Sequence, residues 1–168
     1  MTVNAHGNSG EDARGTWCTP RWLCDLMGVF DLDPCSNERS HVHAHYKFAR
    51  PQDGLALAKI VPADTRTFVN PPYARGEVTR WIAAYAHTDF TFLLRWDPST
   101  TWFAEMLKHA RFAWFPLGER INFEPPPGVK GTSATMPHAL YCKRAPNISK
   151  GLVVGLGAAS AELDLLRS

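Results

Sequence analysis

The run Thr67-Phe68-Val69-Asn70-Pro71-Pro72-Tyr73 constrains this chain more than any other stretch. Its β-branched and aromatic half reads as a buried strand. That strand must stop at the prolines, because neither has an N–H to donate to a neighbouring ladder. The chain therefore halts on a stiff turn, with the Asn70 amide and the Tyr73 ring held at the carboxyl end of a strand. Open α/β sheets bind their ligands at that end. One motif thus predicts both an α/β fold and the place in it where chemistry occurs.

The rest of the chain limits what that chemistry can be. With 168 residues it has the size of one ordinary domain, enough to bury a core. A hydrophobic content of 45% against 20% charged residues excludes a disordered chain. No apolar run approaches the roughly 20 residues of a membrane helix. Residues 1–12 also lack the apolar core of a secretory signal, so a cytoplasmic protein without membrane attachment is expected. The formal charge is only +2, so any binding of nucleic acid rests on a local basic face and not on total charge. Residues 1–14 read as an aperiodic arm, residues 15–160 as a single domain and residues 161–168 as a tail.

Within that domain, Thr19 and Pro20 read as the N-cap and first residue of a short helix that buries Trp22, Leu23, Leu26 and Met27 and ends near Gly28. Val29 to Leu32 reads as a central strand with Asp33 at its carboxyl end. The interval from there to Thr67 is too short for two ordinary strand-and-helix units and predicts an abbreviated connection, with a short strand at Tyr46 to Phe48. Beyond Tyr73, a helix is expected over residues 78–86, a buried strand over 90–94, a helix through about His109 and a strand over 110–115. The proline-rich run from Glu124 to Ser133 reads as a loop between antiparallel strands, or as a segment for a partner. Closing strands follow over 135–142 and 152–156.

Cys18, Cys24, Cys35 and Cys142 lack the close pairing of a structural zinc site and read as buried or half-buried free thiols. His41, His43 and His45 alternate, which on a strand would put them on one face. No carboxylate or cysteine completes a ligand set, and beside Arg39 and Lys47 they read as a solvated or phosphate-facing patch; no metal is expected.

Asn70-Pro71-Pro72-Tyr73 after a hydrophobic strand is the signature of amino-methyltransferases that use S-adenosylmethionine. Ahead of it stand, in order, Trp17-Cys18-Thr19-Pro20, Phe30-Asp31-Leu32-Asp33-Pro34-Cys35 and Asp53-Gly54-Leu55. That succession, spanning residues 16–145, resembles the small, mostly phage-encoded DNA N6-adenine methyltransferases. The resemblance implies a Rossmann-like methyltransferase fold with a mostly parallel sheet and antiparallel C-terminal strands. It also implies DNA as substrate, a phage or prophage source and a role in shielding phage DNA from restriction.

By the same resemblance, Trp17, Thr19 and Pro20 help to hold the cofactor, and Asp33 accepts from its ammonium group beside the Pro34-Cys35 turn. Asp33 read without the family is a turn cap. Ser36-Asn37-Glu38 stands where related enzymes have a glycine-rich turn, so a bulkier loop faces the methionine end of the cofactor. Asp53 would accept from the exocyclic amine of the cofactor's adenine and Leu55 would pack on the ring, whereas Asp-Gly alone means only a turn.

An adenine amine is a weak nucleophile because its lone pair is delocalised into the ring. Two acceptors on its hydrogens favour a more pyramidal nitrogen, and the Asn70 side-chain oxygen with the Pro71 carbonyl, fixed by the stiff turn through Pro72, suit that task. Tyr73 would stack on a base flipped out of the duplex; its other reading is a core tyrosine with a satisfied hydroxyl. Trp96 is a second aromatic candidate or a packing residue. Among the cations Arg80, Lys108, Arg111, Lys130, Lys143 and Arg144 read equally as solvated surface. Arg75, near Tyr73, and Arg120 are the foremost candidates for DNA contact; the family resemblance implies a substrate or cofactor-side contact for Arg120, ahead of Ile121-Asn122-Phe123. The chain has no room for a separate target-recognition domain, so either recognition is brief or a second subunit, as in a homodimer, assists. Methylation of a protein glutamine, methylation of cytosine N4 and a non-catalytic DNA-binding module are the competing functions.

Overall fold

Alternation along the central strands divides the molecule into three layers. The computed structural model describes residues 17–49, 53–131 and 134–157; the expected arm and tail lie outside them. Strand β1 (Phe30–Asp33) pairs in parallel with β2 (Ala44–Lys47) on one side and β3 (Arg66–Val69) on the other. Strand β4 (Asp89–Arg95) continues the parallel half beside β3. Strand β6 (His138–Cys142) then lies antiparallel between β4 and β5 (Phe112–Phe115), and β7 (Leu152–Gly155) closes the edge antiparallel to β5. The sheet order is β2-β1-β3-β4-β6-β5-β7. This mixed α/β sheet, parallel at first and antiparallel toward the C-terminus, is the arrangement the sequence predicts.

Side chains on a strand point to alternate faces. Val69, Phe90, Phe92, Leu94 and Tyr141 face one way, against Trp81, Ile82 and Tyr85 of α3 (Glu77–Tyr85) and Phe103 and Met106 of α4 (Thr101–His109). Phe30, Phe68, Leu93 and Leu140 face the other way, against Leu23, Cys24 and Met27 of α1 (Arg21–Met27). Burial on both faces explains the consecutive buried residues Thr67, Phe68 and Val69 of β3 and Phe92, Leu93 and Leu94 of β4. Each fully buried phenylalanine contributes about 1.5–3 kcal/mol relative to exposure.

Four local expectations are corrected. Thr19 does not cap α1: the cap is Pro20, at φ −63° and ψ 142°, and makes no side-chain cap hydrogen bond. The orphan amide of Arg21 donates instead to Glu124 Oε1 at 3.1 Å, a cap supplied from far along the chain. Asp53-Gly54-Leu55 is not a free turn, because Asp53 Oδ1 accepts from the amides of Leu55 and Ala56 and so caps a single helical turn, α2 (Gly54–Leu57). Glu124 is not part of an unpaired loop. It forms an antiparallel bridge with Cys18 through two N–H···O bonds of 2.9 Å, while the run from Pro125 to Gly131 is a loop between β5 and β6. The strands expected from Ala110 and Thr135 begin later, at Phe112 and His138.

Gly54 shows how tightly α2 is seated. A Cβ there would lie 2.1 Å from the Pro34 carbonyl oxygen and 2.8 Å from the Trp81 ring, and the Gly54 carbonyl accepts from the Tyr85 hydroxyl. Overpacking of this kind typically costs about 1–3 kcal/mol. Gly54→Ala is therefore expected to lower the midpoint of thermal unfolding by several degrees; an unchanged midpoint would show that α2 and the Pro34 turn separate freely. Among the described residues no helix is long and apolar enough to cross a membrane.

Candidate active site

Parallel strands deliver their last residues to one rim, and an antiparallel neighbour delivers its first. Asp33 ends β1, Asn70 follows β3, Arg95 ends β4, and His138, which starts β6, pairs in register with Arg95. Groups widely separated in sequence thus share the carboxyl end of the parallel half-sheet.

Asp33 is 2% exposed. Its Oδ1 accepts from the Cys35 amide at 3.2 Å and its Oδ2 from the Ser40 hydroxyl at 3.3 Å. Burial pushes its carboxyl up to about 6, against the pull of these hydrogen bonds and of Lys47. The turn-cap reading of Asp33 is therefore real. The same carboxylate is also short of positive charge and suits a cationic ligand.

Asn70 stands on the neighbouring strand end, with Pro71 buried behind it. Its Nδ2 donates to Thr19 Oγ1 at 3.3 Å, and its backbone amide is turned to the Cys35 sulfur. The segment that carries Thr19 is strapped down by the Cys18–Glu124 bridge. Glu124 Oε2 meets His41 Nε2 at 2.7 Å, and Arg21 approaches His41 Nδ1 at 3.2 Å. An arginine only donates, so Nδ1 accepts and the His41 proton sits on Nε2, aimed at Glu124. Arg39 adds a bond to the Pro125 carbonyl at 2.9 Å. His43 pairs with Asp25 and His45 is exposed, so the three histidines do not act as one face. Among the described residues no group of histidine, cysteine and acidic side chains has the makings of a metal site, and none of the four cysteines forms a disulfide, with Cys35 the least buried.

Tyr73 is half-buried, with its hydroxyl accepting from the Arg95 amide at 3.0 Å and its phenol pushed up to about 12 by burial. The Arg95 guanidinium lies 4.2 Å from the ring centroid, and His138 meets the ring edge-on at 6.4 Å. Burial pushes His138 down to about 4, so it is neutral near physiological pH; Nδ1 donates to the Met136 carbonyl. A cavity of about 220 Å³ opens beside Tyr73 and is lined also by Arg75, Arg95, Thr100 and Trp102.

The sequence-predicted residues thus fall into two groups. Thr19, Asp33, Cys35 and Asn70 are joined by contacts, Gly54 brings Asp53 and Leu55 against the Pro34 turn, and Arg75 shares the cavity with Tyr73. Trp17 is half-buried and Pro20 buried, the Pro20 carbonyl accepting from the amides of Leu23 and Cys24. Trp96 instead packs between Phe103, Phe115 and Tyr141, stacked on the last at 6.0 Å. Arg120 donates through Nη1 to the carbonyls of Ala134 and Thr135, which gives it a loop to hold. The sequence puts Arg95 at the carboxyl end of a strongly apolar strand, beside the expected site, without giving it a role. His138 and Glu124 carry no such signal.

A buried acid and a hydrogen-bonded carboxamide thus stand at the ends of adjacent strands of an α/β sheet, at its carboxyl rim. The family model for DNA N-6-adenine-methyltransferase (Dam) matches residues 6–141, and the chain belongs to that family. It is accordingly an enzyme that methylates N6 of adenine in DNA. No curated protein and no solved structure matches the chain.

Proposed function

We propose that the methyl donor is S-adenosylmethionine, held at the Asp33 end of the rim, and that Asn70 receives the target adenine within a Rossmann-like arrangement. The observation that carries this is the pairing of β1 with β3: Leu32 lies opposite Thr67, so the buried carboxylate and, two residues further along, the carboxamide end neighbouring strands where the strand order turns back, β2 to one side and β3 to the other. Ligands of open α/β sheets bind at such a reversal. Asp33 would hold the ammonium group of the donor, with Trp17, Thr19, Pro20, Pro34 and Cys35 around it and Asp53 and Leu55 toward its adenine. When bound, the donor supplies an electrophilic methyl on a sulfonium. Asn70 Oδ1 and the Pro71 carbonyl accept from the two N6 hydrogens, orienting the nitrogen lone pair. No general base is required before transfer, because the methylated amine is already acidic.

Tyr73 offers the flipped base an aromatic surface, and Arg75 offers the strand a cation. Replacing Tyr73 with alanine is expected to raise KM for DNA by the about 1–3 kcal/mol that base stacking is worth. Tyr73→Phe keeps the ring but leaves the Arg95 amide without its acceptor, so it should lower the unfolding midpoint with little change in KM. Equal KM for all three proteins would remove the base-stacking role. The reaction itself is tested by nucleoside mass spectrometry on adenine-methylation-free DNA incubated with the protein and S-adenosylmethionine. N6-methyladenine is the expected product; its absence with the donor bound in equilibrium dialysis would overturn the assignment of the acceptor.

A further inference from the structure

We propose that the Arg95 guanidinium is a substrate-binding group that holds the DNA phosphate adjoining the target adenine on the methylated strand, with the Tyr73 ring keeping it in place. This rests on the placement of that adenine at Asn70 and Tyr73 proposed above. Arg95 ends β4 at the carboxyl rim, is half-buried and lines the cavity beside Tyr73. Taking a cation out of water without a counter-charge is unfavourable, so such groups are normally paired. Among the described residues no carboxylate pairs with the Arg95 guanidinium. Asp97, the carboxylate among the residues lining the cavity, accepts through Oδ1 from the amide and the hydroxyl of Ser99. His138, in register with Arg95, is neutral near physiological pH and offsets none of the charge.

This cation is also held in place. Its central carbon lies 4.2 Å from the Tyr73 ring centroid, and contact with a ring face requires none of the five N–H donors of an arginine. The backbone is pinned on both sides: the Arg95 amide donates to the Tyr73 hydroxyl at 3.0 Å, and the Arg95 carbonyl accepts from the Tyr141 hydroxyl at 3.1 Å. A planar fork of donors matches a phosphate through two parallel N–H···O bonds. The substrate of the family supplies that anion. A nucleotide whose base meets Tyr73 keeps its phosphates within one nucleotide's length of the same ring, and so of Arg95. Arg75 lines the same cavity but is exposed, so it adds charge there without a fixed direction.

The test follows binding of a short duplex that the protein methylates, by fluorescence anisotropy over a range of salt, for the unaltered protein, Arg95→Gln and Arg95→Lys. Arg95→Gln is expected to weaken DNA binding about tenfold or more, as loss of a hydrogen bond from a charged group does. It should also reduce the slope of log K against log salt by about 0.9, the value of one phosphate contact. Arg95→Lys keeps the charge and should keep the slope. Methylphosphonate placed on either side of the target adenine removes the charge from the DNA instead. At one of the two positions it should weaken binding by the unaltered protein about tenfold and by Arg95→Gln less than threefold. An unchanged slope in Arg95→Gln, whether with a lowered unfolding midpoint or a weakened donor Kd, would make Arg95 a structural or cofactor residue and overturn the proposal. Equal sensitivity of the two proteins to methylphosphonate at both positions would overturn it too. If Arg95→Gln does not fold, Arg95→Met is read by the same criteria. Unchanged KM in Tyr73→Ala would show that the placement of the base has failed, whereas a raised KM there without coupling between Arg95 and either phosphate would overturn only the role of Arg95.

Discussion

Asn70→Ala is expected to reduce kcat for adenine methylation about 10²–10³-fold, the loss typical when one preorganised polar contact to a reacting centre is removed. Such a loss corresponds to about 2.7–4 kcal/mol of transition-state stabilisation. The fold should survive the change. Asn70 lies just outside β3, is half-buried, and its side chain carries one hydrogen bond, to a threonine hydroxyl able to turn to water. Donor affinity should be little altered, because the Asp33 turn keeps its own bonds to Cys35 and Ser40. A large fall in kcat with an unchanged donor Kd and unfolding midpoint is the expected signature. Full turnover would show that the Pro71 carbonyl alone orients the amine.

The second large effect concerns Asp33 and proton linkage. An ammonium ligand requires the carboxylate, whereas the free protein holds the carboxyl at about 6, above its ordinary 3.8. Donor affinity is therefore expected to be constant above about pH 7 and to fall roughly tenfold per pH unit below 6. Stability moves the other way. Between 3.8 and about 6 the folded state binds more protons at this site than the unfolded state, so its contribution to stability declines as pH rises through that window. At neutral pH the ionised, buried Asp33 costs the ligand-free protein about 3 kcal/mol. Asp33→Asn should thus raise the unfolding midpoint at pH 7.5 while weakening donor binding by at least 2 kcal/mol, the usual loss when one partner of a buried charge pair is truncated. A donor affinity that stays flat from pH 7 to 5 would remove Asp33 from the ammonium site.

What could be read from the sequence followed the range of the interactions. The strands carrying Phe68 and Phe92, the helix carrying Trp81 and Tyr85, and the halt at Pro71 all depend on neighbours within a few residues, and they stand close to where periodicity and proline chemistry put them. Thr19 looked like a cap because Thr-Pro before an apolar stripe is a local capping pattern. It lost that role to Glu124, whose partner is 103 residues away and invisible to any local pattern. Asp53 looked like a turn because α2 is a single turn of helix, shorter than hydrophobic periodicity can register. Arg120 was read as a substrate contact from its company of aromatics, yet the carbonyls it holds belong to the loop before β6. His138 escaped notice because only the antiparallel course of β6 sets it beside Arg95.

The insertion of β6 between β4 and β5 also dictates an order of assembly. Synthesis produces β4, then β5, and only later the strand that must enter between them. A nascent chain that has not reached Cys142 has β4 as an open edge, with Phe90, Phe92 and Leu94 beside unpaired backbone groups. Such edges are prone to illicit pairing. Closure depends on a contact between residues some 45 positions apart, a loop-closure step that precedes its own reward. The carboxyl rim of the sheet, with His138 opposite Arg95, is therefore completed by the same late event that seals the sheet, and a growing chain acquires that rim and sheds its aggregation hazard together.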